Sequence, residues 1–262
     1  MESVTVACGQ LETRFIPGAQ TLAPLVFLHE GLGSVAMWAS RQHDWPLALC
    51  EQTGRQAWLY SRKGYGQSDS IPDVQGQHRL LPDYMHQHAW QDLPELLATL
   101  QVHQPILIGH SDGGSIALLH AARHPVTAAV VMAPHLFVEE QSLLAIEAAK
   151  QAYVHGDLRS KLSRYHRDVD CAFWQWNDIW LSPGFRAFNI QEECLQITAP
   201  VLALQGEDDA YGSLRHILDL KTAGQIKQVV LKNCGHSPHK DQYHDCLDRK
   251  STRLNSSHGY IS

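Results

Sequence analysis

The amino-acid sequence predicts an α/β protein with a mostly parallel central sheet and helices on both faces. Short apolar segments of strand length alternate with helical segments along most of the chain. The later strand segments are apolar throughout, which is typical of parallel strands that are buried on both faces. The alternation breaks once, over a long aromatic-rich stretch, which predicts a helical insertion into this core.

Composition narrows the class of protein. The chain has 262 residues, of which 44% are apolar and 18% charged, as in ordinary globular domains. A net charge of −6 with scattered lysine and arginine gives no basic face for nucleic acid. No apolar run reaches the length of a membrane span, and the N-terminus lacks a signal-peptide pattern. The six cysteines lack disulfide or zinc spacing, so we expect reduced thiols and a cytoplasmic protein that contacts no membrane.

The first elements are predicted by alternation and by short apolar runs. Val4–Ala7 and Leu11–Ile16 alternate around Gly9, as the two strands of a hairpin would. Leu25–Leu28 is a continuous apolar run after Pro24, which predicts a buried strand. The chain therefore opens with a hairpin and then enters the sheet.

The next segment predicts a helix, a strand and a loop. Met37–Thr53 has helical spacing and stops at Gly54, a residue that often ends helices. Ala57–Tyr60 predicts the following strand. The segment Ser61–Pro72 is rich in glycine and serine and predicts a loop.

The middle of the chain repeats this helix and strand pattern. Asp83–Leu100 places its apolar residues on one helical face, and Pro94 within it predicts a kink or a restart. Pro105–Gly109 predicts a strand, and Ser115–Arg123 predicts the next helix. The three remaining strands are predicted by apolar runs at Ala128–Met132, Pro200–Leu204 and Gln228–Leu231.

These elements define the expected domain organisation. Residues 1–133 and 199–248 form the α/β core, and residues 134–198 form a helical cap or lid inserted into it. The cap is rich in aromatic residues, namely Phe173, Trp174, Trp176, Trp180, Phe185 and Phe188. The three tryptophans either line an apolar acyl-binding pocket or pack as the cap's own core, and we take them as candidate pocket residues.

Gly109-His-Ser-Asp-Gly113 is the strongest functional motif. It fits the pattern G-x-S-x-G between an apolar strand and a helix, the context in which this motif forms a sharp turn that exposes a nucleophilic serine. Glycines at both ends let the chain pass close to itself there. The sequence therefore predicts Ser111 as a nucleophile; the alternative is a glycine-rich turn with a chance serine.

A serine hydroxyl needs a base, and the loops after the last two strands offer candidates. Both loops lie at carboxyl ends of strands, where ligands bind in open α/β sheets. From Leu25 to about Gln242 the chain resembles the α/β-hydrolases, which carry Gly-x-x-Asp in the first loop and Gly-His in the second. This resemblance implies Asp209 as the acid and His236 as the base, with Asp208 as the rival acid and His239 and His244 as rival bases.

The same resemblance implies an oxyanion hole made of backbone amides. One N–H group comes from Asp112, directly after the nucleophile. The other comes from Gly31 or, as the alternative, Leu32, in the loop His29–Ser34. Glu30 stands where the family often has glycine. In the alternative interpretation, Glu30 and His29 only satisfy each other's hydrogen bonds within a tight loop. The segment Arg62–Ser68 resembles the family's R-G-x-G-x-S loop, for which we expect a structural role.

The implied chemistry is two-step acyl transfer to a small-molecule substrate with an acyl group, without a metal or an organic cofactor. A carboxylic-ester hydrolase is the first interpretation. Dehalogenases and epoxide hydrolases of this fold have aspartate in place of Ser111, and the proline iminopeptidases' Gly-Gly-x-Gly loop is missing. Hydrolases that cleave C–C bonds of ring-cleavage products often have tryptophan where Ser237 stands, so that activity comes second. The third alternative is a non-catalytic small-molecule receptor on the same scaffold.

The C-terminus departs from this pattern. Asp241–Leu247 could begin a closing helix, but residues 249–262 are polar and lack a face that could be buried. Residues 249–258 resemble a translated sequencing adapter. We therefore expect residues 249–262 to be disordered or artefactual, the alternative being a natural polar tail.

Overall fold

A computed structural model describes residues 2–248 and contains one eight-stranded sheet. The strands are β1 (Glu2–Val6), β2 (Gly9–Ile16), β3 (Leu25–Leu28), β4 (Ala57–Tyr60), β5 (Ile106–His110), β6 (Ala128–Met132), β7 (Val201–Gly206) and β8 (Ile226–Leu231). The expected tail, residues 249–262, lies outside the described residues.

Helices connect most of the parallel strands. They are α1 (Trp45–Thr53), α2 (Tyr84–Gln87), α3 (Leu93–Thr99), α4 (Asp112–Ala121), α5 (Glu140–His155), α6 (Leu158–Leu162), α7 (Val169–Trp180), α8 (Gln191–Cys194), α9 (Arg215–Leu218) and α10 (Pro238–Asp241). A π-helical turn, His88–Asp92, joins α2 to α3. Short 3₁₀ helices cover Val35–Trp38 and Pro183–Ala187. No described helix is long and apolar enough to cross a membrane.

The order of the strands determines where a ligand would bind. The sheet runs β1-β2-β4-β3-β5-β6-β7-β8, and every pair from β4 to β8 is parallel, whereas β1 and β2 form an antiparallel hairpin at one edge. The chain moves outward from β3 to β4 and then returns to place β5 on the other side of β3. Adjacent loops after β3 and β5 therefore diverge, which opens a crevice at the carboxyl ends of the strands.

Both faces of the sheet are buried. In β3, Val26 and Leu28 point to one face and Leu25 and Phe27 to the other, as the two-residue period of a strand requires. The helices α2, α3 and α4 and the segment between β6 and β7 cover the first face. The second face is covered by α1 together with Cys246 and Leu247. The expected three-layer α/β class is confirmed.

Two predicted helices begin at the wrong residue. The segment Met37–Thr53 is not one helix, because α1 begins only at Trp45, where the Asp44 side chain accepts a hydrogen bond from the Leu47 amide and caps the helix. Helix α4 begins at Asp112, three residues before the predicted start at Ser115. Its first turn contains two glycines, which weaken the apolar pattern that the prediction used.

Four helices, α5 to α8, lie in the segment between β6 and β7, where the sequence predicts a cap. This segment has apolar packing of its own, since the rings of Tyr153 and Phe173 stack with centroids 3.6 Å apart. It is also tied to the loop after β4, because the Arg167 amide donates to the Gly66 carbonyl at 2.8 Å. The segment therefore packs both internally and against the loops that flank the crevice.

Candidate active site

The turn from β5 into α4 holds Ser111 in an unusual backbone conformation. Ser111 has φ +53°, in the region that L-residues rarely occupy. A Cβ atom on Gly109 would collide with the backbone of Gly113, and one on Gly113 would collide with the carbonyl oxygen of Leu28. Both glycines are therefore required for the chain to turn this sharply between strand and helix.

Ser111, His236 and Asp209 form a continuous chain of hydrogen bonds. His236 Nε2 lies 2.9 Å from Ser111 Oγ. On the other side of the ring, His236 Nδ1 lies 2.9 Å from both carboxylate oxygens of Asp209. An ionised carboxylate can only accept hydrogen bonds, so the single proton of a neutral His236 ring lies on Nδ1. The lone pair of Nε2 can then accept a hydrogen bond from the serine hydroxyl.

The Asp209 carboxylate is buried and fixed by two further donors. Gln205 Nε2 donates to Oδ2 at 2.6 Å, and the Tyr211 amide donates to Oδ1 at 2.8 Å. The rival carboxylate, Asp208, is exposed instead. Of the two rival bases, His244 is exposed and His239 packs its ring against Trp38 and His110. The structure thus places Asp209 and His236 beside Ser111.

The loop after β3 is held by side chains from two other segments. Arg62 Nη1 donates to the His29 carbonyl at 2.6 Å, and Nη2 donates to the Glu30 carbonyl at 3.0 Å. His166, from the segment between β6 and β7, bonds the Leu32 carbonyl through Nε2 and accepts the Gly66 amide through Nδ1, both at 3.0 Å. The Arg62 loop therefore has the structural role that the sequence predicts.

Of the two predicted oxyanion donors, one begins α4 and the other lies in the loop after β3. Asp112 is the first residue of α4, so its amide has no acceptor within the helix. Gly31 is buried directly beneath the Trp176 indole, which a Cβ atom at this position would strike. The Asp112 carboxyl group points away into the core and accepts the Tyr84 hydroxyl at 2.7 Å, and burial raises the pKa of this carboxyl group.

The Glu30 side chain does not pair with His29, whose Nδ1 bonds the Glu30 backbone carbonyl at 2.7 Å. Its carboxylate lies 3.5 Å from Lys240 Nζ and 3.9 Å from His110 Nδ1. Burial opposes ionisation of Glu30, but Lys240, His110 and His236 hold its pKa at about 2. Burial lowers the pKa of His110 to about 4, and His110 Nε2 donates to the His236 carbonyl at 2.7 Å.

Among the described residues, Glu30, His110 and His236 are the one group whose side chains could hold a metal ion, with ligand atoms within 4.8 Å of one another. A zinc ion holds its ligands at about 2.0–2.1 Å, which would require these atoms to move closer together. Both ring nitrogens of His236 already have partners, and the Lys240 ammonium already faces Glu30. The arrangement fits a hydrogen-bonded support for His236 better than a metal centre.

The candidate pocket tryptophans occupy different surroundings. Trp176 covers Gly31, and the Trp180 ring lies edge-on to His135 with centroids 4.7 Å apart. Trp174 instead packs on Tyr153 and Phe173 within the helical segment. Residues 176 and 180 are four apart and share a face of α7, whereas residue 174 lies on another face. Trp180 is thus brought near Ser111 through His135, whereas Trp176 lies over the loop after β3.

Two residues close to the serine and its base were missed from the sequence. His135 Nε2 lies 3.4 Å from Ser111 Oγ, and the Tyr211 ring packs against His236 with centroids 4.7 Å apart. His135 follows β6 by only three residues, so its place at the carboxyl end of a central strand was the available signal. His135 belongs to no sequence motif, so this single polar residue gave no functional signal of its own.

Comparisons with known proteins found similar sequences and similar folds. A model described as "Alpha/beta hydrolase family" matches residues 25–249. The sn-1-specific diacylglycerol lipase ABHD11 of Mus musculus is 30% identical over 115 residues. That match covers 44% of this chain and 33% of the mouse protein, so the chain spans about a third of this curated relative.

Solved structures share the whole fold at low sequence identity. A carboxylesterase from the thaumarchaeon Nitrososphaera gargenis is 18% identical with a TM-score of 0.73, covering 99% of this chain and 100% of that one. The enol-lactonase from Burkholderia xenovorans LB400 is 17% identical with a TM-score of 0.71, covering 97% and 100%. At these identities, the likeness concerns the fold alone.

Proposed function

The chain belongs to the alpha/beta hydrolase family, and we propose that it is a serine hydrolase that cleaves carboxylic esters by acyl transfer. The observation that carries this proposal is the bonded chain from Ser111 Oγ through His236 to Asp209. Each atom in it has the partner that nucleophilic catalysis requires: a base on the hydroxyl and a carboxylate on the base.

In the proposed reaction, Ser111 Oγ attacks the ester carbonyl while its proton passes to His236 Nε2. Asp209 holds the imidazole tautomer and stabilises the imidazolium that forms. The amides of Asp112 and Gly31 bind the oxyanion, and His236 then protonates the departing alcohol. Water, activated by the same histidine, releases the acid from the acyl-enzyme.

We propose further that residues 134–198 act as a cap over this site. The support is the position of Trp176 above Gly31 and of Trp180 beside His135, both from α7. These rings would present an apolar wall to the acyl group. The proposed location remains the cytoplasm, because none of the six cysteines forms a disulfide within the described residues.

A substrate panel tests the proposal. Purified protein is assayed with short- and medium-chain p-nitrophenyl esters and, beside them, a ring-cleavage dienoate. We expect turnover of at least one ester, and a loss of about 10⁶-fold in kcat for Ser111→Ala, since the nucleophile is removed. Turnover of the dienoate but of none of the esters would favour C–C bond hydrolysis instead. Tight ligand binding without any turnover would identify a receptor instead.

A further inference from the structure

We propose that His135 is a further active-site residue, a neutral imidazole whose Nε2–H donates a hydrogen bond to Ser111 Oγ, in addition to the bond that Oγ makes with His236. This inference rests on the proposed function, since it assigns the second partner of the proposed nucleophile. His135 Nε2 lies 3.4 Å from Ser111 Oγ, at the outer limit of a hydrogen bond.

The backbone of His135 is fixed by the helix that carries Ser111. Ser115 Oγ accepts the His135 amide at 2.9 Å and donates to the His135 carbonyl at 2.7 Å. The Ser115 amide donates to the Ser111 carbonyl at 3.1 Å, so Ser115 lies one turn along α4 from the nucleophile. Ala133, two residues earlier, has φ +47°, a costly conformation for a residue with a Cβ atom, and it turns the chain from β6 toward this helix.

The ring of His135 is neutral. It is 3% exposed and packs edge-on to Trp180 and to His216. Burial, together with the nearby His216, His236 and His110, holds the pKa of His135 well below the ordinary value. A neutral ring carries one N–H group, so its tautomer decides whether it donates to the serine or competes for the serine proton.

The neighbouring hydrogen bonds select the tautomer. The one proton of Ser111 Oγ points to His236 Nε2, so a lone pair on His135 Nε2 would face a lone pair of the serine oxygen. His216 offers no donor to His135, because its Nδ1 accepts the Leu136 amide at 3.1 Å and its Nε2 lies 3.0 Å from Glu139 Oε2. Among the described residues, His135 Nδ1 has no partner, and an unpartnered acceptor there leaves the proton on Nε2.

This donor has a definite role in the proposed reaction. At rest it holds the serine oxygen in the rotamer that directs the hydroxyl to His236. As the proton leaves Ser111 Oγ for His236 Nε2, negative charge grows on Oγ, and the hydrogen bond from His135 strengthens. His135 keeps its own proton throughout, so it assists the attack without acting as a base.

Labelling by a fluorophosphonate tests the role without requiring knowledge of the substrate. His135→Phe keeps a flat aromatic ring at this position but removes the donor, and we expect the rate of Ser111 labelling to fall by about ten- to a hundredfold. His135→Gln restores an N–H group near the Nε2 position, and its rate should return to within about threefold of wild type. His120→Phe is the matched control, because His120 is also buried but bonds the Ala89 carbonyl instead, and it should label like wild type.

Nitrogen-15 NMR of the wild-type protein gives a second, independent result. We expect a neutral His135 ring with the proton on Nε2, and a proton on Nδ1 would overturn the proposal. Labelling of His135→Phe as fast as wild type, or of His135→Gln as slowly as His135→Phe, would overturn it as well. If wild type is not labelled on Ser111 at all, the proposed function fails, whereas the NMR spectrum still reports the tautomer by itself.

Discussion

The two sides of the Ser111 hydroxyl group are built differently. On one side, both ring nitrogens of His236 have partners at 2.9 Å, and the Asp209 carboxylate receives donors of its own. On the other side, His135 lies 3.4 Å from the serine oxygen, and its Nδ1 has no partner within residues 2–248. The first side fixes an orientation that proton transfer needs, whereas the second supplies one weak donor from a ring packed among Trp180, His216 and His236.

Replacing the Asp209 carboxylate with a neutral amide should disrupt the His236 side of Ser111. We expect this change to have the largest effect on activity. Asp209→Asn leaves the size of the side chain unchanged but removes the carboxylate that selects the His236 tautomer, so kcat should fall by about 10⁴-fold. Steady-state ester hydrolysis measures this loss. Asp208→Asn is the matched control: Asp208 is exposed, and its substitution should cost less than about tenfold. A larger loss at Asp208 would assign the acid to that residue.

Acid should weaken the fold through histidines that are buried in the neutral form. Burial lowers the pKa of both His110 and His120 to about 4, below the ordinary 6.5. Between these values the unfolded chain binds more protons, so the free energy of unfolding falls as the pH drops from about 6.5 to about 4. The loss amounts to roughly 3 kcal/mol for each residue.

Urea unfolding at pH 7 and at pH 4.5 measures this dependence. His120→Asn should reduce this pH dependence while leaving the Ser111 site intact. His155→Asn, at an exposed position, should leave the pH dependence unchanged. Equal pH dependence in wild type and His120→Asn would refute the assignment.

A smaller loss should follow from removing the support of Asp209. Gln205→Leu deletes the donor to Asp209 Oδ2, and kcat should fall by about tenfold, since one hydrogen bond to a charged group is lost. Gln228→Leu removes an equally well bonded amide, whose partners are the carbonyls of Ile217 and Leu220. If both variants lose the same activity, Gln205 acts only through stability.

The parts of the site that the sequence predicts depend on residues close together in the chain, whereas the parts that it misses depend on contacts between distant segments. The strands β3, β4 and β6 have the bounds that their apolar runs predict, because a short buried strand is a local pattern. The candidate residues Ser111, Asp209 and His236, which lie within hydrogen-bond distance of one another, were predicted from short motifs at strand ends. His135 was missed because its position depends on Ser115 of another element, and the start of α1 depends on a cap at Asp44 that the apolar spacing does not reveal.

The central claim is that acyl transfer proceeds through Ser111. The most direct measurement is rapid acid quenching of the protein during turnover of an ester, followed by peptide mass spectrometry. We predict that the acyl group is attached to the peptide containing Ser111 and that it is missing from Ser111→Ala. Sustained ester turnover without an acyl group on Ser111, or with one on a different residue, would contradict the account.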